Sequence, residues 1–319
     1  MILQSWYDMK DVNKLKGGIY GLLVGDALGV PYEFHPSADI PPVDKIDMQP
    51  PAGFSRAHMG VPPATWSDDG AQALCLLDSL VEVGRFDLNN FSDKVLAWYD
   101  YGLWAVDNNV FDVGIQTSMA LDAYRSGMAP EKCGLIRPDG KGNGALMRVL
   151  PLALWHEGTN EELVEDAHAQ CLITHGNITN LVCCGLYVLI AGYLLDGLSF
   201  DDALSSAVAE LRRIYSDKPD FLEEFEFRLC PDEPDIWHGN GGGYVVDSLR
   251  SAVMIMKRAS SYEDAVKQAI ALGDDTDTTA CITGGLAGIV FGYEGIPAKW
   301  REELRGRSQA DELLAKWIK

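Results

Sequence analysis

The chain has 319 residues, 47% of them hydrophobic, and is long enough to bury a large core. Its 26 basic and 47 acidic residues give a formal net charge of −21. Such a charge disfavours nucleic acid as a general partner and disfavours an anionic membrane surface.

Apolar spacings of three and four residues predict helices along most of the chain, and no run of alternating strands appears. We therefore expect an all-α fold, a single compact multi-helix domain over residues 1–319 with a motif-bearing core at about 17–300. In chain order, the predicted helices cover residues 14–28, 69–83, 91–103, 114–126, 161–171, 178–195, 201–214, 244–258, 262–272, 278–291 and 309–318. Between them lie a proline-rich loop at 36–64 and an acidic, glycine-rich segment at 216–243. Long loops of this kind are commonly functional.

Ile178–Leu195 runs for eighteen residues without a charge, which is the lower length limit for a membrane span. It contains two cysteines and two glycines, and no flanking Lys or Arg supports insertion. A buried central helix in a helical bundle explains the segment better.

The seven cysteines are an odd number without a C-x-x-C pair, and most are set among apolar residues. They are typical of reduced core residues. The N-terminal residues 1–18 lack the basic, apolar and small-residue order of a secretory signal. These features predict a cytoplasmic protein.

Two acidic clusters, about 200 residues apart, lie where helices are predicted to begin: Ser67-Asp68-Asp69 and Asp275-Thr276-Asp277-Thr278. Helix capping is one interpretation, since Ser, Thr and Asp suit helix N-termini. Capping needs only one such side chain per helix, and neighbouring aspartates repel each other. Carboxylate and hydroxyl oxygens are ligands for Mg²⁺ or Mn²⁺, so the clusters also indicate a metal-dependent enzyme. Their ligands can converge only just before or across a helix start.

Three further segments carry polar groups in unusual settings. A glycine-rich turn at 140–148 precedes a short predicted helix, where backbone amides can hold a phosphate; an ordinary flexible turn is the alternative. Thr174-His175-Gly176-Asn177 opens the long apolar helix, where a cap with a satisfied histidine is the alternative. Glu33 lies in an apolar, glycine-rich stretch where an unpaired acid is costly to bury. It is therefore a candidate ligand or proton-transfer group.

In this order, five motifs resemble the ADP-ribosylglycohydrolase family, which includes the dinitrogenase reductase-activating glycohydrolases: G-D-A-L-G-x-P-x-E-F, S-D-D, G-N-G-A-x-M-R, T-H-x-N and G-x-D-T-D-T-T-A. The resemblance implies an all-α fold with two Mg²⁺ or Mn²⁺ ions at the base of an ADP-ribose cleft. It implies hydrolysis of the glycosidic bond between ADP-ribose and an acceptor, foremost ADP-ribosylarginine on protein. Serine, nucleobase and small-molecule adducts remain alternatives, as does a non-catalytic ADP-ribose-binding protein.

Carried over by position, the resemblance implies metal ligands at Ser67, Asp68, Asp69, Asp275, Asp277 and Thr278. Catalytic roles would fall to Glu33, Asp68 and Asp277. Substrate-binding residues would be Gly142, Asn143, Gly144, Arg148 and His175. Asp112 resembles the aspartate that pairs with a guanidinium in arginine-directed members, and a carboxylate suits that planar cation.

Two positions depart from the family pattern. Gly70 stands where many members place a hydroxyl, and Asp274 replaces the usual glycine, so the number of ions is left open. A phosphatase of the haloacid-dehalogenase type, whose D-x-D-x-T motif resembles D-T-D-T-T, is disfavoured because that motif belongs near the start of its domain.

Overall fold

The computed structural model describes residues 11–233 and 235–318. Most of the N-terminal segment considered above for a secretory signal lies outside the described residues. The helices are α1 (Val12–Gly29), α2 (Asp68–Val83), α3 (Leu88–Tyr101), α4 (Ile115–Arg125), α5 (Leu150–Trp155), α6 (Asn160–Cys171), α7 (Ile178–Leu195), α8 (Phe200–Ile214), α9 (Pro219–Arg228), α10 (Val245–Met256), α11 (Tyr262–Ile270), α12 (Thr276–Phe291), α13 (Ala298–Glu303) and α14 (Arg307–Trp317). Within the described residues, β-type pairing is limited to two isolated bridges, Pro36 with Gly273 and Gly142 with Tyr244. The expected all-α fold is confirmed.

Two helices, α9 and α13, were not predicted, and α5 was expected only as a short helix without bounds after the glycine-rich turn. Each is ten residues or shorter, so its apolar face repeats too few times to show a period. The helix α9 lies inside the segment expected to be irregular. It has a proline at its first position, which suits a helix start, and it buries Phe225 against the core.

The helices α1 and α12 approach each other through glycines. A Cβ atom on Gly21 would lie 2.2 Å from the Gly284 carbonyl oxygen, and one on Gly25 would lie 2.1 Å from the Ala280 oxygen. Only glycine permits this separation. At the end of the crossing, a Cβ on Gly29 would lie 2.4 Å from the Asp277 Cα atom, so the contact places the second acidic cluster beside the end of α1.

The apolar helix α7 is a core helix. It is long and apolar enough to span a membrane, but 78% of its eighteen-residue window is buried inside the protein. Its Tyr187 hydroxyl donates to the Ile282 carbonyl of α12 at 2.9 Å. The cysteines are all free, and all except Cys230 are buried.

Candidate active site and metal centre

The two acidic clusters meet at the base of a cleft with a cavity volume of about 630 Å³. The Thr278 Oγ1 lies 3.5 Å from Asp69 Oδ1, although the two residues are 209 positions apart. Of the predicted residues, those that line the cavity are Glu33, Asp68, Asp69, Asp112, Gly142, Asn143, Gly144, His175, Asp275 and Thr278. Ser67 and Asp277 are buried directly beside them, at the N-cap of α2 and in the first turn of α12.

The first cluster is held at the start of α2 by a neighbouring buried acid. Ser67 caps the helix, its Oγ accepting the Asp69 N–H at 3.3 Å, so the capping interpretation holds as well. The Asp26 carboxylate accepts the Ser67 N–H at 2.9 and 3.0 Å and the Gly70 N–H at 2.8 Å. Through these hydrogen bonds, Asp26 stabilises the loop-to-helix turn that presents Asp68 and Asp69. Burial raises the pKa of Asp26 to about 7.

Packing explains the glycine at position 70. A Cβ atom there would lie 2.9 Å from the Leu23 Cδ2 atom and 2.9 Å from the Trp66 Cβ and Cγ atoms. A hydroxyl residue, which many members of the family that this sequence resembles carry at this position, would collide with Leu23 and Trp66 here.

The second cluster begins before α12 and continues into its first turn. Asp275 has the non-helical dihedrals φ −96° and ψ 69°, which turn it relative to Asp277. One Asp277 oxygen accepts the Thr278 N–H at 2.8 Å. Asp274 is the second position that departs from the family pattern. Its φ is 56°, a left-handed conformation that aspartate tolerates better than most residues. The clusters thus converge because each crosses a helix start.

The donor set fits divalent cations. The Asp69 Oδ2 and Asp277 Oδ2 atoms are buried without a hydrogen-bond partner, which is costly for a carboxylate unless a cation compensates. Glu33, Asp275 and Asp277 each offer an oxygen, all within 4.8 Å of one another. Burial, followed by repulsion from the nearby acids, raises the pKa values of Asp69 and Asp277 well above their usual range. Asp68 shows the same upward shift of its pKa, with burial as the main cause.

Glu33 also belongs to a second group, which it forms with His58 and Asp112. The His58 Nε2 hydrogen-bonds Glu33 Oε2 at 2.7 Å and lies 3.8 Å from Asp112 Oδ1. Burial raises the pKa of Glu33 to about 7, and the hydrogen bond to Glu33 raises the pKa of His58. His58 was missed because it is a lone histidine in the proline-rich loop, where no motif marks it.

The glycine-rich turn packs directly against His175. A Cβ atom on Gly144 would lie 2.7 Å from the His175 Cε1 atom, so glycine is required there. Asn143 Nδ2 donates to Asp275 Oδ2 at 2.8 Å, which ties the turn to the second acidic cluster. Burial lowers the pKa of His175 to about 3, and the imidazole is therefore neutral at physiological pH.

Arg148 does not reach the cleft, and its predicted contact with substrate is corrected. It is fully buried, and it donates to Gln170 Oε1, to Thr174 Oγ1 and, at 2.7 Å, to Gln72 Oε1. Gln72 in turn donates to Asp68 Oδ2 at 3.1 Å. The guanidinium therefore contacts the first cluster indirectly, through Gln72, because its side chain points into the core rather than towards the cavity.

Several lining residues were not among the predicted site residues: Phe34, Gly114, Ile115, Gln116, Thr117, Met147 and Gly243. Phe34 ends the G-D-A-L-G-x-P-x-E-F motif and Met147 lies within the G-N-G-A-x-M-R motif, so membership of a motif was the available signal. The others come from segments whose place beside the cleft depends on packing alone.

A family model described as ADP-ribosylglycohydrolase matches residues 8–319. Over 308 residues the chain is 29% identical to the "ADP-ribosylarginine hydrolase Tri1" of Serratia proteamaculans (strain 568), covering 96% of this chain and 79% of that protein. It is 28% identical to the "ADP-ribosyl-[dinitrogen reductase] glycohydrolase" of Rhodospirillum rubrum, covering 94% and 95% of the two chains. A solved structure titled "ADP-ribosylglycohydrolase-related protein complex" superposes with a TM-score of 0.77 at 28% identity, over 96% of this chain and 97% of that chain.

Proposed function

Because the chain belongs to the ADP-ribosylglycohydrolase family, as its motifs predicted, we propose that it releases ADP-ribose from the arginine side chain of a modified protein. The observation that carries this proposal is the convergence of two acidic clusters, with unpartnered buried oxygens on Asp69 and Asp277, beside Asp112. The names of two relatives, which act on ADP-ribosylarginine and on ADP-ribosylated dinitrogen reductase, support the choice of acceptor.

We assign the metal ligands to the set predicted from the motifs: Ser67, Asp68, Asp69, Asp275, Asp277 and Thr278. Two divalent cations, Mg²⁺ or Mn²⁺, are proposed for this donor set of oxygens. When bound, such ions supply Lewis-acid chemistry that fixes sugar hydroxyls and lowers the pKa of a water.

The protein's own groups would transfer the proton, orient the leaving group and bind the diphosphate. Cleavage at the ribose anomeric carbon passes through an oxocarbenium-like transition state and needs a proton for the leaving group. Glu33, with a pKa of about 7 in the metal-free protein and held by His58, can give or take a proton near neutral pH. Asp112 can accept two hydrogen bonds from a guanidinium, which orients the leaving group. In the glycine-rich turn at 142–144, the backbone amides of Gly142 and Gly144 would hold the diphosphate, because the Asn143 N–H already donates to the Gly243 carbonyl at 3.1 Å.

The direct test is release of ADP-ribose from an ADP-ribosylarginine protein substrate with Mg²⁺ or Mn²⁺. We expect Asp68→Asn and Asp277→Asn each to lower kcat by at least about 100-fold, as losses of transition-state electrostatics do. Asp44→Asn is a matched control, because that carboxylate is exposed and outside the cleft. Full activity in both cleft variants contradicts the proposal. Binding of ADP-ribose without turnover by the unmodified chain favours the non-catalytic alternative, and turnover of serine adducts alone favours the other acceptor.

Three further assignments are part of the proposal. The contiguous apolar core, which runs from Leu15 in α1 to Trp317 in α14, supports a single domain over 1–319. The buried free cysteines support a cytoplasmic location. The charge of −21 supports the absence of a membrane or a general nucleic-acid partner.

A further inference from the structure

The exposure and the backbone conformation of Phe34 are both energetically unfavourable for a phenylalanine. Its side chain lines the cavity, yet the residue is 69% exposed and gains little from burial. Its backbone φ is 63°, a left-handed conformation that strains a bulky residue. Strain of this kind collects at functional sites, where the surrounding structure holds it in place.

The backbone around Phe34 fixes the direction of the ring. The Phe34 N–H donates to the Asp274 carbonyl at 2.8 Å, and the Asp274 N–H donates to the His35 carbonyl at 2.7 Å. The ring lies against the His58 imidazole, with centroids 5.6 Å apart, and Phe111 covers the imidazole with a centroid separation of 5.2 Å. The exposed aromatic surface is therefore held at the edge of the cleft.

The surroundings of the ring suit a cation. Glu33, Asp112 and Asp274 line the same cavity, and its lining contains no Lys or Arg among the described residues. A phosphate placed here would be repelled by the three acids. A planar cation instead gains from both the carboxylates and the aromatic face.

We propose that Phe34 is a specificity-determining residue whose ring stacks on the guanidinium of the acceptor arginine, while Asp112 accepts hydrogen bonds from that group. The inference rests on the proposed function and deepens it by assigning a residue to acceptor choice. A guanidinium is planar and weakly hydrated, so it stacks on aromatic faces. A serine acceptor presents no such group, and Phe34 therefore favours arginine.

The test separates the aromatic face from apolar bulk. Phe34→Leu keeps the bulk and removes the ring, Phe34→Tyr keeps the ring, and Phe227→Leu is the matched control because Phe227 is 67% exposed and does not line the cleft. With an ADP-ribosylarginine peptide we expect Phe34→Leu to raise KM roughly tenfold. We expect kcat to change less than about twofold, as for loss of uniform binding. Phe34→Tyr and Phe227→Leu should match the unmodified chain.

Inhibition by free ADP-ribose identifies what the ring contacts. An unchanged inhibition constant in Phe34→Leu, together with the raised KM, supports an acceptor contact. A KM equal to that of the unmodified chain, an equal loss in Phe34→Tyr, or an inhibition constant that rises in parallel with KM overturns the stacking. If the unmodified chain does not hydrolyse the arginine substrate, the proposed function itself fails and the stacking fails with it.

Discussion

At the scale of single residues, the buried acids of the cleft fall into two kinds. Asp26 is satisfied by backbone N–H groups, so its carboxylate stabilises the turn before α2. Asp69 and Asp277 each keep an oxygen that is buried and without a partner. Carboxylates of the second kind are costly to bury without a cation, which is why we propose them as metal ligands. The two kinds should therefore respond oppositely to replacement by asparagine.

Neutralising Asp69 should therefore stabilise the metal-free chain. We expect Asp69→Asn to raise the free energy of unfolding by roughly 1–2 kcal/mol without metal, because a repelled, desolvated charge is removed. The stabilisation gained on adding Mn²⁺ should shrink at the same time. Urea denaturation with and without Mn²⁺ measures both quantities.

Asp26→Asn is the control with the opposite sign. An amide NH₂ would face the N–H groups of Ser67 or Gly70, and we expect a loss of about 1–3 kcal/mol. A destabilised Asp69→Asn protein with an undiminished response to Mn²⁺ would show that Asp69 is a structural group.

Arg148 gives a second prediction at this scale. Its guanidinium joins Gln72, Gln170 and Thr174, and lysine cannot reproduce this fork of donors. We expect Arg148→Lys to cost about 2–4 kcal/mol of stability, because buried acceptors lose their partners. The KM for substrate should stay within about threefold of the original, since no contact in the cleft is lost. A large rise in KM at unchanged stability would instead show that Arg148 contacts the substrate.

At the scale of elements, the crossing of α1 and α12 positions the chemistry. The two helices touch backbone to backbone at Gly21 with Gly284 and at Gly25 with Ala280. Such contact holds the start of α12, and with it Asp277, against the end of α1. The turn that we propose as a metal site is thus built on two helices in backbone contact, which suits a site that needs fixed ligand geometry.

A methyl group in this crossing should separate the helices. We expect Gly21→Ala to lower the free energy of unfolding by roughly 2–4 kcal/mol, since the new Cβ would lie 2.2 Å from the Gly284 oxygen. Gly60→Ala is the control, because nothing lies within 4 Å of a Cβ at that position. Urea midpoints measured side by side give the comparison, and equal midpoints would contradict the packing account.

At the scale of the whole molecule, acidic residues outnumber basic ones, and several of the acidic residues line the cleft. The pKa values of Glu33 and Asp26 are raised to about 7, and those of Asp68, Asp69 and Asp277 are also raised, in each case mainly by burial. The unfolded values are about 4. The folded state therefore binds more protons than the unfolded state between about pH 4 and 7, and these groups make the free energy of unfolding fall as pH rises through that window.

Metal should restore this lost stability most where the carboxylates are ionised. We expect the rise in Tm on adding Mn²⁺ to be larger at pH 8 than at pH 6, because protons compete with metal for the same oxygens. Thermal denaturation at both values, with and without Mn²⁺, measures the increment. In the control variant Asp68→Asn combined with Asp277→Asn, the increment should disappear at both pH values. An increment independent of pH would mean that Mn²⁺ binds elsewhere.

The sequence by itself determined the helical class, most helix bounds, the family and the composition of the acidic clusters. These features are local: capping residues, glycines and the helical period act within a few positions of one another. It could not assign Arg148, which the motif placed in the substrate site and the core holds beneath it. It also missed His58 and gave no role to the motif residue Phe34. Packing alone brings Glu33 and Asp112 to His58, and Asp274 to Phe34. Tertiary structure decided where these side chains lie, since burial, hydrogen-bond partners and the shape of the cleft depend on segments far apart in the chain.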